Sequence, residues 1–411
     1  MPNAIKVWFK RMLGRRNRPT PPAPPAPPAP IPIPPTLPSE RPGQLTPSPS
    51  CENLASQSIE AQAESSFFRK LPIEIRRAIL MEAFGNRTLH MDLVYDHPAS
   101  DNADETSVQY LSHTAHGDMK VMRKRNGFDF IVDESRPKQW NWHSSICHRT
   151  PPQCMPFPEK MVQPGEDHCR FGWNGHGCSF WPGEYPAKWL IGVMGWLLSC
   201  RQAYAEAIDI LYSTNTIHTA SKEMMMHIDK LLVPQRLTSI RSVELCWELK
   251  PYPGYYDTPN NPAALSDMAS FHAFLKAVPT MFPNARALHI SLRGITFAER
   301  SDKIEEDIME PLDTMIRTLG SHVRDFSVGV SSMLYILQRK RVKEAGWLAE
   351  QDSKGQVERY WRPLDGSPLF SGYWVMLGEK NLEMPWMWMF FMGSPTDRIG
   401  EDDVFYRMKP Y

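Results

Sequence analysis

The sequence predicts an α/β protein in which helices and strands alternate around one sheet, and it leaves a mixed α+β arrangement open. From residue 196 onward, segments with apolar residues three and four apart alternate with short segments in which every second residue is apolar. Such alternation favours parallel crossovers within one sheet. The strand spacings are unequal and mostly too long for a leucine-rich repeat. We therefore predict a sheet that is not a solenoid.

The individual elements follow from these two periodicities. Residues 67–84 predict an amphipathic opening helix, and residues 88–95 predict a strand. Further helices are predicted at 197–211, 221–231, 268–278 and 304–319, and further strands at 216–219, 243–247, 288–292 and 326–330. The apolar C-terminal segment 373–391 is expected to pack on this body.

Residues 1–66 predict a disordered arm, followed by a single body at residues 67–411. The basic stretch from Lys6 to Arg18 fits a nuclear import signal, a membrane-surface or mitochondrial targeting helix, or a solvated tail. The repeated prolines that follow lack N–H donors and favour polyproline II. This segment is expected to act as a spacer or as a ligand of SH3 or WW modules.

Composition narrows the class of protein. Lys and Arg total 46 and Asp and Glu total 46, so no global charge attracts the chain to nucleic acid or to acidic membranes. Seven cysteines are an odd number and too few for a disulfide framework in 411 residues. The longest apolar run, Trp189–Cys200, is shorter than the roughly 20 residues that span a bilayer. We predict an intracellular protein, cytoplasmic or nuclear, that contacts no membrane and keeps its thiols reduced.

The sequence contains none of the familiar catalytic motifs that we sought. No GxSxG elbow, HExxH helix or papain-like cysteine context occurs. The glycines at 172, 175 and 177 follow no clear strand, and no Lys-Ser/Thr pair comes after them as it does in a phosphate loop. The sequence therefore predicts no catalytic residue, no cofactor site and no enzyme activity.

Residues 96–188 predict a loop-rich insert with one short strand at 128–132. It contains a set of thiols and imidazoles, the ligands that structural zinc prefers: Cys147, His148, Cys154, His168, Cys169, His176 and Cys178. No CxxC pair is present, and the spacings match no common zinc finger. Two interpretations stay open. Either these are reduced residues of a surface loop without a metal, or zinc staples a domain that binds a ligand or nucleic acid through the insert.

Two motifs resemble blocks of known families. LPIEIRRAIL at 71–80 resembles the first helix of an F-box, whose Leu-Pro pair and aliphatic residues dock on the adaptor subunit of SCF-type ubiquitin ligases. CRQAYAEAIDILYSTNT follows at 200–216. Together they resemble a large fungal family of uncharacterised proteins that open with LPxEIR and carry CRQxYxEA…LYSTNT after a variable insert. The matching positions are Leu71, Pro72, Glu74, Ile75 and Arg76 in the first block, and Cys200, Arg201, Gln202, Tyr204, Glu206, Ala207, Leu211, Tyr212, Ser213, Asn215 and Thr216 in the second.

The resemblance implies a non-catalytic protein-interaction module, with an F-box-like adaptor as one form of it. The expected partner is then a ubiquitin-ligase adaptor, and the expected contact residues are Leu71, Pro72 and Ile75. Two arrangements of the opening helix stay open. Its stripe of Leu71, Ile75 and Ile79 packs on the stripe of residues 197–211 in one buried cluster, or it remains accessible to a partner groove.

Overall fold

The structure is a computed structural model that describes residues 31–38, 65–98, 100, 121–124, 127–149, 163–167, 169, 181, 183, 187–249, 262–293, 304–345, 359–364 and 371–378. Nearly all of the predicted arm at 1–66 and all residues after 378 lie outside these ranges. The arm, and its separation from a single body, therefore stay predictions.

A mixed sheet of eight strands organises residues 88–377. Its strands are β1 (Thr88–Asp96), β4 (Gln139–Ile146), β5 (Thr216–Thr219), β6 (Ser242–Glu248), β7 (Ala287–Arg293), β8 (Asp325–Val330), β9 (Arg359–Pro363) and β10 (Gly372–Leu377). Strands β2 (Val121–Lys124) and β3 (Gly127–Phe130) form a separate antiparallel pair. The order in the sheet is β4-β1-β5-β6-β7-β8-β10-β9. The six inner strands are parallel, and β4 and β9 close the two edges as antiparallel strands.

Nine α-helices lie within the described ranges: α1 (Ser66–Lys70), α2 (Ile73–Phe84), α3 (Val193–Leu197), α4 (Arg201–Ser213), α5 (Lys222–Leu231), α6 (Pro234–Ser239), α7 (Pro262–Met281), α8 (Glu310–Leu319) and α9 (Ser332–Glu344). A π-helical segment, Glu305–Met309, leads into α8. None of the described helices is long and apolar enough to cross a bilayer. Helices and strands alternate around one sheet, so the predicted α/β class is confirmed.

The two faces of the sheet differ in chemistry. The parallel strands lie side by side in chain order, and right-handed crossovers in one direction place the connecting helices on one face. On that face Val243, Leu245 and Trp247 of β6 belong to the main apolar core. Because side chains alternate along a strand, Glu244 and Cys246 of β6 lie on the other face. Described parts of the chain between β4 and α3, among them Arg149 and the turn Pro164–Glu166, lie against this other face.

The insert between residues 96 and 188 is less loop-rich than the sequence predicts. Strand β4 runs through it and pairs with β1 over eight residues, from Leu89↔Ile146 to Asp96↔Gln139. Trp140 and Trp142 alternate with polar residues in this strand, and Trp140 is half-buried whereas Trp142 is exposed. Pairing with β1 gives this segment a fixed position at the edge of the sheet.

Candidate functional site

The opening helix exposes the residues that the F-box resemblance singles out. Pro72 precedes the first turn of α2 and is exposed, and Leu71 is half-buried. Ile75 is 48% exposed and Ile79 is 43% exposed. Because they are four residues apart, Ile75 and Ile79 lie on the same side of α2. The structure therefore presents Leu71, Pro72 and Ile75 on an accessible surface.

The expectation that this stripe packs in one cluster with residues 197–211 is wrong. Leu80, rather than Ile75 or Ile79, packs with Val193, Leu197, Ala207, Ile208 and Ile210 in a second apolar core. Tyr204 of the proposed partner stripe is also exposed. The helix is rotated relative to the expectation because the buried face of α2 includes Arg76, which is only 8% exposed.

Arg76 fixes this rotation through a network of directed contacts. Its Nη2 and Nε donate to the two carboxylate oxygens of Glu206 in α4, at 2.7 and 2.9 Å. Its Nη1 donates to the carbonyl oxygens of Leu71 at 2.6 Å and Phe68 at 3.2 Å. The hydrogen bond to Glu206 raises the pKa of Arg76 and lowers that of Glu206. Bidentate pairing of this kind has a fixed geometry, so it orients α2 as well as holding it.

The second motif block joins α4 to the sheet. The side chain of Asn215 accepts from the Arg87 N–H at 2.8 Å and donates to the carbonyl oxygens of Phe84 at 2.7 Å and Leu211 at 2.9 Å. Asn215 thus links the end of α2, the end of α4 and the start of β1. The thiol of Cys200 accepts from the Ala203 N–H at the first turn of α4. The motif residues hold together two helices that are separated by more than a hundred residues in sequence.

Exposed apolar side chains are concentrated on these helices. We call α1 and α2, together with residues 187–213, the helical layer. Nine large apolar side chains are exposed among the described residues from 34 onward, and seven of them belong to this layer. The seven are Ile73, Ile75, Ile79, Leu190, Met194, Leu198 and Tyr204. Concentration of exposed apolar residues on one part of a molecule is typical of an interaction surface.

A second feature lies on the face of the sheet opposite the main apolar core, where a set of buried and half-buried titratable side chains forms what we call the polar layer. It comprises His90, Cys147, Arg149, Asp167, Cys169, His218 and Glu244. The short turn Pro164–Glu166 lies directly on the sheet, since the Cys246 thiol donates to the Pro164 carbonyl at 3.3 Å. A Cβ on Gly165 would lie 3.0 Å from Ser291 Oγ, so glycine allows this close approach.

Arg149 is the central cation of the polar layer. Its guanidinium donates to Asp167 Oδ2 at 3.2 Å and to Glu244 Oε1 at 2.5 Å. Glu244 Oε2 in turn lies 3.0 Å from His218 Nδ1. Burial alone would raise the pKa of Glu244, but Arg149 and His218 hold it well below its usual range. Buried charges are stable when paired in this way, so the layer joins the insert to β5 and β6.

Two thiols of the polar layer, those of Cys147 and Cys169, lie near Asp167. Cys147 Sγ donates to Asp167 Oδ2 at 2.9 Å, and His90 Nε2 lies 3.6 Å from the same oxygen. Burial alone would raise the pKa of Cys147, but hydrogen bonding to Cys169 and the proximity of His90 lower it to about 6. The residues before Asp167, Pro164–Glu166, form a tight turn. Asp167 Oδ1 accepts a hydrogen bond from the Cys169 N–H at 2.8 Å.

The structure brings together only part of the predicted set of Cys and His. Cys147 and Cys169 lie within one cluster, whereas His148 donates its backbone N–H to Cys169 Sγ at 2.9 Å and its ring lies 4.9 Å from the Trp181 ring in a tilted arrangement. Cys154, His168, His176 and Cys178 lie outside the described residues. Sequence reasoning missed His90 and Asp167. Two signals were available in the sequence. His90 is one of the polar residues that alternate with apolar ones in β1, and Asp167 directly precedes His168-Cys169.

Among the comparisons with known proteins, one segment of the chain matches a family model. No curated protein and no solved structure matches the sequence. Residues 158–326 match a family model described as Domain of unknown function (DUF7730). The matched segment includes Asp167, Cys169 and the second motif block, and it begins after α2 and β1. The central part of this chain is therefore similar to a family whose function is unknown.

Proposed function

We propose that the protein is a non-catalytic interaction module, and that α2 docks on the adaptor subunit of an SCF-type ubiquitin ligase. The contact surface consists of Leu71, Pro72 and Ile75, extended along the helix by Ile79. The observation that carries the proposal is the exposure of Ile75 and Ile79 on one side of α2. Binding of a helix in a partner's groove uses such i, i+4 apolar anchors.

The opposite side of α2 supports the same proposal. Arg76 and Leu80 are buried against α3 and α4, so the helix is held firmly while its apolar side faces outward. A rigid, preorganised anchor loses little conformational entropy on binding. We infer that α3 and α4, on which α2 packs, take the place of the two short helices that follow the first helix of an F-box. Here they come from residues beyond the insert.

The polar layer favours a structural role over catalysis. Arg149 pairs with Asp167, which also belongs to the insert, and with Glu244 of β6, and such pairing stabilises the attachment of one segment to another. Adaptor docking would place the protein in the cytoplasm or nucleus. A role of the insert in binding a ligand or nucleic acid stays a prediction, since much of the insert is outside the described residues.

The proposal is tested by replacing the exposed anchors. The double variant Ile75→Glu/Ile79→Glu is expected to weaken binding of the purified ligase adaptor by about tenfold or more, because loss of an apolar anchor costs over about 1 kcal/mol. Both positions are exposed, and surface substitutions usually change stability by under about 0.5 kcal/mol each. Isothermal titration calorimetry measures the affinity, and circular dichroism confirms that the variant is folded.

Trp142→Glu is the matched control, because Trp142 is an exposed apolar residue on β4, outside the helical layer. Its affinity for the adaptor should equal that of the wild-type chain. Absence of binding by the wild-type chain would refute the proposed partner. If the Trp142 variant and the double variant lost equal affinity for the adaptor, the proposed surface would be refuted.

A further inference from the structure

The polar layer contains four potential metal ligands that point at one another. His90 comes from β1, Cys147 follows β4 directly, and Asp167 and Cys169 flank position 168 after the turn Pro164–Glu166. One ligand atom from each residue lies within 4.8 Å of the corresponding atoms of the other three, and all four residues are buried. From this geometry we propose that His90, Cys147, Asp167 and Cys169 bind a single zinc ion.

The separations are close to those of a tetrahedral zinc site. Zinc binds thiolate sulfur at about 2.3 Å and histidine nitrogen or carboxylate oxygen at about 2.0–2.2 Å, so neighbouring ligand atoms lie about 3.3–3.8 Å apart. The 3.6 Å between His90 Nε2 and Asp167 Oδ2 is within this range. The 2.9 Å between Cys147 Sγ and Asp167 Oδ2 must open slightly, and the widest pair in the cluster must close by about 1 Å. Rotation of side chains supplies movements of this size.

The choice of zinc follows from the ligand types. Two soft thiolates disfavour magnesium and calcium, which prefer oxygen ligands, while imidazole and carboxylate are acceptable to zinc. Four protein ligands in a buried position are typical of structural zinc, since a catalytic site keeps one position for water. The predicted function of the ion is therefore to hold the insert against β1.

Arg149 offsets part of the negative charge of the proposed site. Two thiolates and one carboxylate carry three negative charges, of which zinc neutralises two. The Arg149 guanidinium lies 3.2 Å from Asp167 Oδ2 and 2.5 Å from Glu244 Oε1, so its positive charge is shared between the two carboxylates. An outer partner of this kind orients a ligating carboxylate and tunes the site. The wider polar layer thus has the features of a shell that supports a metal centre.

The full-length chain, purified without chelator and analysed by inductively coupled plasma mass spectrometry, should contain about one zinc ion. Cys147→Ser and Cys169→Ser should each lose most of this zinc. Cys246→Ser is the matched control, because Cys246 is a buried cysteine on the same sheet face and is not part of the four-residue cluster. Cys154→Ser, in the insert, should also retain the metal.

Cobalt gives a second measurement that does not depend on the variants folding. Cobalt(II) added to the chelator-treated wild-type chain should produce the visible bands of tetrahedral cobalt and a thiolate-to-cobalt charge-transfer band. A wild-type chain that binds neither zinc nor cobalt would overturn the proposal. So would a disulfide between Cys147 and Cys169 in the isolated protein, found by mass spectrometry, or loss of zinc in the Cys154 variant with retention in the Cys147 variant.

Discussion

Replacing Trp247 with alanine should lower the free energy of unfolding by about 3–5 kcal/mol, as is typical of large aromatic residues in a core. Trp247 is 0% exposed on the helix-covered face of β6. Its ring stacks on Phe274 with centroids 5.0 Å apart and contacts Phe271 at 5.5 Å. Truncation removes these contacts and leaves a cavity between β6 and α7. Urea denaturation of the two chains measures the difference.

Trp142→Ala is the matched control for this prediction, since the same atoms are removed from a side chain that is half-exposed on the edge strand β4. We expect Trp142→Ala to lower the free energy of unfolding by under about 1 kcal/mol, because the substitution removes little buried apolar area. Equal losses in the two variants would contradict the assignment of the main core to the helix-covered face.

Arg149→Met should lower the free energy of unfolding by about 3–5 kcal/mol, which is the usual cost of removing one partner from a buried ion pair. The substitution keeps most of the side-chain volume but leaves the buried carboxylate of Asp167 and the largely buried carboxylate of Glu244 without their shared cation. Thermal or chemical unfolding of the variant provides the measurement. The expected result is a large loss of stability with the secondary structure retained.

The control for the ion pair is Arg236→Met. Arg236 Nη1 lies 2.8 Å from Asp209 Oδ1, and the Asp209 side chain is 66% exposed. Removing such a pair, in which one partner is largely in water, should cost no more than about 1 kcal/mol. If Arg149→Met proved as mild as Arg236→Met, the polar layer would not be the joint between the insert and the sheet.

The periodicity of the sequence was sufficient to predict the α/β class and most inner strands. Strand β6 shows why, since Val243, Leu245 and Trp247 alternate with polar residues and all three are buried in the core. The sequence analysis predicted neither strands β9 and β10 nor helix α9. The two strands are short, at residues 359–363 and 372–377, so the alternation of a strand is not clear in them. Helix α9 carries charged residues over much of its length, so no apolar helical stripe is clear there.

The candidate site was only partly predictable. The apolar stripe of α2 was visible in sequence, but which side faces inward depends on the Arg76–Glu206 pair, which joins residues 130 positions apart. A charged residue is normally assigned to the solvent side of a helix, and here that rule gave the wrong rotation. His90 and Asp167 were missed for a similar reason, since only the fold brings β1 next to the insert.

Thiol labelling tests most directly the central claim that α2 buries Arg76 and Leu80 and presents Ile75 and Ile79 outward. Single variants Ile75→Cys and Leu80→Cys are treated in the native state with a maleimide, and modification at each site is followed by peptide mass spectrometry. Thermal unfolding first establishes that both variants are folded. We predict that position 75 reacts as a freely exposed cysteine while position 80 is strongly protected. Protection of position 75 with rapid labelling of position 80 would contradict the orientation of α2 and the docking surface built on it.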